Sequence, residues 1–168
     1  MKLIRKFKGG QQRPPERSSL KKIIVSALAV GLVIAGLTYL DREVGTVVLL
    51  GTFGATSLLV FVYPDSPMSQ PRSVLGAHII GASMGLICLH NIGHQWWSLG
   101  IAVGLTVALM KFIGVIHPPA TSNPIVVFLS KATWPFLFAP TIAGALIIIF
   151  FALFYHNMTR ENNWPNYW

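Results

Sequence analysis

Long apolar runs separated by short polar segments dominate this chain. A helix that crosses a bilayer needs about 20 mostly apolar residues. Five stretches reach that length, and charged, proline-containing or aromatic segments separate them: 22–40, 44–63, 74–92, 97–116 and 134–155. We therefore predict an all-α fold, a polytopic transmembrane bundle with about five membrane segments.

A further apolar run, residues 121–129, is only about half as long as a span. Such a length is typical of a re-entrant segment or a broken helix. The sequence leaves open whether this run crosses the membrane or returns to the same side. The side on which the C-terminal tail lies depends on that choice.

Composition and charge agree with a membrane protein. Of the 168 residues, 53% are hydrophobic and 11% are charged, whereas a soluble domain carries about 25% charged residues. Eight Lys and Arg residues fall within 1–22 against a single acid, Glu16. We interpret this segment as an arm beside anionic lipid headgroups, not as a folded nucleic-acid-binding domain. The predicted divisions are a basic cytoplasmic arm (1–20), a transmembrane domain (21–157) and a polar, aromatic interfacial tail (158–168).

The basic arm also predicts the orientation, since cytoplasmic segments are enriched in Lys and Arg. The N-terminus is expected in the cytoplasm, with the chain in a bacterial inner membrane. The turn 41–43 is then expected outside, the loop 64–72 inside and the loop 90–94 outside. A cleaved secretory signal is the weaker alternative, because the first apolar run is too long for one.

Two stretches resemble each other and suggest two halves, roughly 21–92 and 96–156. Gly54-Ala55-Thr56-Ser57 resembles Pro119-Ala120-Thr121-Ser122, and each is followed by a proline-bearing connector and a helix that contains Gly-Ala. An Ala-Thr-Ser turn at the start of a helix offers free backbone N–H groups and two hydroxyls, which attract anions. The alternative is that these small residues only allow helices to pack closely.

The ordered motifs resemble the HPP family of integral membrane proteins. His117-Pro118-Pro119 follows an apolar helix, and upstream stand Gly54-Ala55-Thr56-Ser57, the loop Pro64-Asp65-Ser66-Pro67-Met68-Ser69-Gln70-Pro71-Arg72, and Gly76-Ala77-His78. The resemblance covers about residues 20–156. It implies a compact helical bundle, and some plastid and cyanobacterial members of that family are associated with nitrite transport.

Two histidines are the strongest candidates for a role in function. His117 precedes two prolines, which favour an extended backbone at His117 and end the helix before it. His78 lies deep in an apolar helix, where ionisable residues are functional candidates. For each, a structural alternative remains: an interfacial histidine at a helix stop, and a neutral ring bonded to a carbonyl. His90 and His94 have a spacing that suits a metal ion, but no carboxylate lies nearby in the sequence.

Two cations and the loop between the second and third apolar runs complete the candidates. Arg72, beside Gln70, either anchors the inner face or draws anions to an entrance. Asp65 is a conjectural partner of Arg72. Lys111 either extends to the inner interface or faces the pathway.

The sequence thus predicts a membrane transporter or channel for a small inorganic anion such as nitrite. No catalytic constellation is recognisable, so we expect neither enzymatic activity nor a cofactor or metal, and an intramembrane enzyme ranks third. A non-transporting scaffold or accessory subunit is the main alternative. The expected partners are a small anion, membrane lipid and further copies of the chain, without nucleic acid. The predicted site comprises Gly54, Ala55, Thr56, Ser57, Gln70, Arg72, His78, Lys111, His117, Pro118, Pro119, Thr121 and Ser122.

Overall fold

The structure, a computed structural model, describes residues 16–45 and 49–168, and it confirms the all-α prediction. Six α-helices occur in the described residues: α1 (Leu20–Val44), α2 (Thr52–Val62), α3 (Pro71–Asn91), α4 (Trp96–Ile113), α5 (Asn123–Ser130) and α6 (Ala143–Thr159). Short 3₁₀ turns at Pro67–Ser69, Pro118–Ser122 and Trp134–Leu137 precede α3, α5 and α6. The basic arm falls mostly outside the described residues.

Four helical segments in the described part are long and apolar enough to cross a membrane: Leu20–Glu43, Pro71–Asn91, Trp96–Ile113 and Trp134–Thr159. The last of these includes α6 and the distorted turn before it, in which Ala139 has an extended backbone. At 1.5 Å per residue, the 21 residues of α3 extend roughly 31 Å, about the thickness of a bilayer core. The chain is therefore an integral membrane protein.

Residues 44–63 differ from the predicted single span. The segment 41–43 continues α1 as helix and forms no turn. Residues 41–44 include no glycine or proline, and the helix ends at Gly45, which adopts a left-handed backbone with φ of 66°. The next helix, α2, then has 11 residues and begins only at Thr52. It extends about half of a bilayer core.

Contacts between helices define two ends of the molecule. Arg72, at the start of α3, donates to the carbonyl of Ile113 at the end of α4, with 3.2 Å between the atoms. At the opposite end His90, near the end of α3, lies 3.1 Å from the carbonyl of Ala132, which follows α5. We call the end with the loop 64–70 the proximal end and the end with the loop 90–94 the distal end.

Each half of the chain contains a long helix, a short helix and a long helix, and the two halves run in opposite directions. Helices α1 and α3 run from the proximal to the distal end, with α2 returning between them. Helices α4 and α6 run from the distal to the proximal end, with α5 returning between them. The short helices meet inside the bundle, where the Thr52 hydroxyl donates to Asn123 Oδ1 at 3.1 Å. This arrangement is that of an inverted-topology repeat.

The tail after α6 packs on the loop 64–70 at the proximal end. Trp164 is 1% exposed, and its indole N–H donates to the Pro64 carbonyl at 3.2 Å. The Asn157 side chain bonds both the N–H and the carbonyl of Trp164. The N–H of Asn166 donates to Gln70 Oε1 at 2.8 Å. These contacts place the tail on the same side as that loop, which the sequence left open.

Candidate functional site

A threonine between two histidines forms the centre of a buried polar network. Thr56 Oγ1 lies 2.9 Å from Nε2 of His78 and 3.0 Å from Nε2 of His117. The two imidazole centroids are 5.3 Å apart, and all three side chains are 0% exposed. Buried polar atoms are nearly always hydrogen-bonded, and these side chains have partners within the protein.

The outer partners determine which ring nitrogen carries the proton. His117 Nδ1 lies 2.7 Å from the Met68 carbonyl, which can only accept, so Nδ1 donates and Nε2 accepts in the neutral ring. On the other side, Asn123 Nδ2 donates to the His78 carbonyl at 3.1 Å and to His78 Nδ1 at 2.9 Å. His78 therefore carries its proton on Nε2 and donates it to Thr56.

The Thr56 hydroxyl proton has two acceptors. One is Nε2 of His117, and the other is the carbonyl of Thr52, one helical turn back, at 3.2 Å. When the hydroxyl turns to Thr52, the oxygen can accept from both imidazoles while donating to the carbonyl. The network then holds one extra proton, on His117 Nε2, without losing a hydrogen bond.

Four separate chain segments bring these groups together. Helix α2 supplies Thr52 and Thr56 on one face, and α3 supplies His78. His117 follows α4 with an extended backbone (φ −142°, ψ 101°), and Pro118 then starts the 3₁₀ turn that leads to Asn123. The two prolines thus hold the His117 ring between α2 and the loop 64–70.

Two glycines of α3 allow the segment after His117 to lie against the helix. A Cβ at Gly81 would collide with the Ala120 carbonyl oxygen, and a Cβ at Gly85 would come within 2.8 Å of the Pro124 Cα. Both contacts are with backbone, which cannot move aside as a side chain can. The small residues predicted to pack helices do so at these positions.

Comparison with known proteins identifies the family. A family described as HPP, transmembrane region, matches residues 15–165. The chain belongs to the HPP family. Two transmembrane proteins of Dictyostelium discoideum are similar to it: one is 30% identical over 98% of this chain, and the other is 29% identical over 100%. This chain spans 57% and 65% of their lengths, respectively. No solved structure matches.

The family motif includes only part of the network. Of the two similar tetrapeptides in this HPP protein, Thr56 belongs to the network, whereas the Thr121 hydroxyl donates to the Pro118 carbonyl at 2.7 Å. Gly54 and Ala55 lie within α2 and face outward, and Ser57 is buried with an unpartnered hydroxyl. The tetrapeptides therefore do not form two facing turns: one is helix and the other is a 3₁₀ turn.

Some of the remaining predicted residues support the structure around the network, and others are exposed. Buried Gln70 donates to the Pro64 and Ser66 carbonyls at 2.8 and 3.1 Å, and Arg72 caps α4. Lys111 on α4 is exposed. In the 3₁₀ turn, Pro118 is exposed, Ser122 is partly exposed and Pro119 is buried. In this HPP protein Asp65 pairs with Arg160 at 2.6 Å, so the conjectured pair with Arg72 is wrong.

Histidines at the distal end bond to backbone. His90 Nε2 lies near the Ala132 carbonyl, and His94 Nε2 lies 3.0 Å from the carbonyl of Phe128. Within residues 16–45 and 49–168, no group of three His, Cys, Asp or Glu side chains could hold a metal ion. These two rings hold the end of α5 against α3.

Sequence reasoning missed Thr52, Asn123 and the Met68 carbonyl. Thr52 precedes Thr56 by one helical turn, so its place on the same face could have been read from the spacing. Asn123 precedes Pro124, a favoured first-turn residue, which marks a helix start. Nothing in the sequence indicates that the Met68 carbonyl reaches His117 of this HPP chain.

Proposed function

We propose that this protein is a membrane transporter or channel for a small inorganic anion, nitrite in the first instance. Three features support the proposal. Ionisable side chains lie buried among membrane-spanning helices, where they are costly and tend to mark ion paths. Short helices from the two halves of an inverted repeat meet at these side chains, as at many transporter sites. The family resemblance supplies nitrite as the precedent.

The observation that carries the proposal is the pair of acceptors for the Thr56 hydroxyl. In the neutral network every N–H and O–H donor is used internally, so an anion finds no free donor. One added proton fits on His117 Nε2 when the hydroxyl turns to the Thr52 carbonyl. That proton leaves a positive charge in a low-dielectric interior, which an anion would neutralise. We therefore propose that the anion moves together with a proton.

Flux measurements in proteoliposomes test this function. Nitrite uptake should exceed that of empty vesicles and rise when the outside is made acidic. Thr56→Val should reduce uptake at least tenfold, because valine neither donates nor accepts, while Thr56→Ser should retain most of it. Thr106→Val is the matched control, since the buried Thr106 hydroxyl bonds only its own helix, to Ala102 at 2.8 Å. If nitrite, nitrate, formate and chloride all fail to cross, the transport proposal is overturned.

A scaffold or accessory subunit is the second candidate, and the completeness of the neutral network favours it. A fully satisfied polar network can serve only to fix helix positions. In that case the Thr56→Val and Thr56→Ser variants should differ in their free energy of unfolding, and neither substitution should change anion flux.

Several finer features belong to the same proposal. We place the proximal end, with the N-terminal arm and the tail, in the cytoplasm, and the chain in a bacterial inner membrane. We propose a homo-oligomer, because one protomer of this size encloses only a small core. We also propose that the protein is not an enzyme.

A further inference from the structure

A crevice at the proximal end separates the first half of α1 from the rest of the bundle. Its volume is about 1230 Å³. α1 forms one wall, and the facing wall comes from α2 and the end of α6. Only a small part of α1 is buried against the other helices.

The crevice has an apolar body and a charged end. Val25, Val30, Leu58 and Phe61 line the body, whereas Lys21, Lys22, Asp65 and Arg160 lie at the end where α1 starts and α6 stops. Three cations and one carboxylate give this end a net positive charge. An amphiphile with an anionic head and an apolar chain has the matching distribution.

Two polar groups at the charged end are buried without a partner. Nη2 of Arg160 pairs with Asp65, but its Nη1 is buried and has no hydrogen-bond acceptor. A guanidinium that keeps unused donors beside a cavity is suited to bind a phosphate oxygen.

The second group is His156, which is 1% exposed and lines the crevice. Its Nε2 lies 2.9 Å from the Val60 carbonyl, so Nε2 donates and Nδ1 offers a lone pair in the neutral ring. Nδ1 has no partner. His156 Nδ1 could accept a hydrogen bond from a donor such as a hydroxyl.

We propose that this crevice is a binding site for an anionic phospholipid whose headgroup carries hydroxyls. The phosphate binds Arg160 together with Lys21 or Lys22, a headgroup hydroxyl donates to His156 Nδ1, and an acyl chain lies along the apolar body. This site is separate from the histidine network and does not depend on anion transport.

Native mass spectrometry of the full chain in detergent tests the site, with phosphatidylglycerol as the probe. Phosphatidylglycerol should be retained in preference to phosphatidylcholine. Arg160→Gln should weaken its binding about tenfold, as expected for one charge-assisted contact. Asp65→Asn breaks the same ion pair but keeps the guanidinium, so it should retain binding. Lys131→Gln, at the distal end, controls for loss of a cation elsewhere.

Equal weakening by Arg160→Gln and Asp65→Asn would overturn the phosphate contact, because the loss would then follow from the broken ion pair. Soluble glycerol phosphate should not compete with the lipid; full competition would assign the site to free anions and overturn the lipid proposal.

The hydroxyl contact has its own readout, the preference for phosphatidylglycerol over phosphatidic acid. His156→Phe should abolish that preference while leaving both lipids bound. A wild-type protein that binds the two lipids equally would overturn the hydroxyl contact.

Discussion

At the scale of single residues, the directions of the hydrogen bonds around Thr56 assign different tautomers to two neighbouring histidines. His117 is held by a carbonyl at Nδ1, and His78 is held by an amide N–H at its own Nδ1. His117 therefore presents an acceptor to the Thr56 hydroxyl, and His78 presents a donor to it. That difference is what allows one threonine to bridge them.

The tautomers can be observed directly. In protein with ¹⁵N-labelled histidine, solid-state NMR at neutral pH should show His117 protonated at Nδ1 and His78 protonated at Nε2. Single His→Asn variants assign the two signals. Finding both rings in the Nε2–H form would contradict the hydrogen-bond directions and remove the proton-sharing argument.

The backbone of the segment after His117 lies very close to Gly81 and Gly85 of α3. Gly81→Ala and Gly85→Ala should each lower the free energy of unfolding by about 1–3 kcal/mol, as overpacking does. Gly100→Ala and Gly104→Ala, where a Cβ meets nothing within 4 Å, should be neutral or stabilising by up to about 1 kcal/mol. Unfolding in detergent by heat or denaturant measures the difference, and similar values for both pairs would refute the proposed packing.

At the scale of elements, the end of α4 determines where His117 lies. Gly114 ends α4 in a left-handed conformation with φ of 76°, and the chain then turns into the extended His117. The position of the network thus depends on a helix stop three residues before it.

Gly114→Ala tests that dependence. An L-residue in this conformation costs about 1–2 kcal/mol, so the variant should unfold earlier than wild type although a Cβ would meet no other atom there. Gly104→Ala, inside the same helix, controls for helix propensity. The same stability in both variants would show that the left-handed stop is not required.

The long helices were predictable from the sequence because uninterrupted apolar runs have one stable form in a bilayer. The short helix α5 was indicated by the half-length apolar run 121–129, whereas the short helix α2 was less predictable. Residues 44–63 contain no charged residue, and only Gly45 and Gly51 indicate that α2 starts late. His78 and His117 were each named as candidates from their chemistry. Their meeting at Thr56 and the contact of Asn123 with His78 depend on how the helices pack, which no local pattern encodes.

At the scale of the whole molecule, the two ends should lie on opposite sides of the membrane. The loop 64–70 and the tail share the proximal end, and the loop 90–94 forms part of the distal end. If the basic arm sets the orientation, the proximal end is cytoplasmic.

Cysteine labelling tests this arrangement in a Cys88→Ala background, which removes the one native thiol. In intact cells a membrane-impermeant maleimide should label Gln95→Cys but not Met68→Cys or Asn163→Cys, and lysed cells should allow all three to react. Labelling of Met68→Cys without Asn163→Cys would contradict the shared side, and the reverse of the expected pattern would invert the orientation.

The contact of the tail with the loop 64–70 has a consequence for biosynthesis. The ribosome releases Trp164 and Asn166 about 100 residues after the loop that they cover. Until then, Gln70 and the Pro64 carbonyl lack these partners, although α3 has already been made. The proximal end of this protein therefore matures only after residues 164–166 have been made, and a chain stalled before them would enter the membrane with that end incomplete.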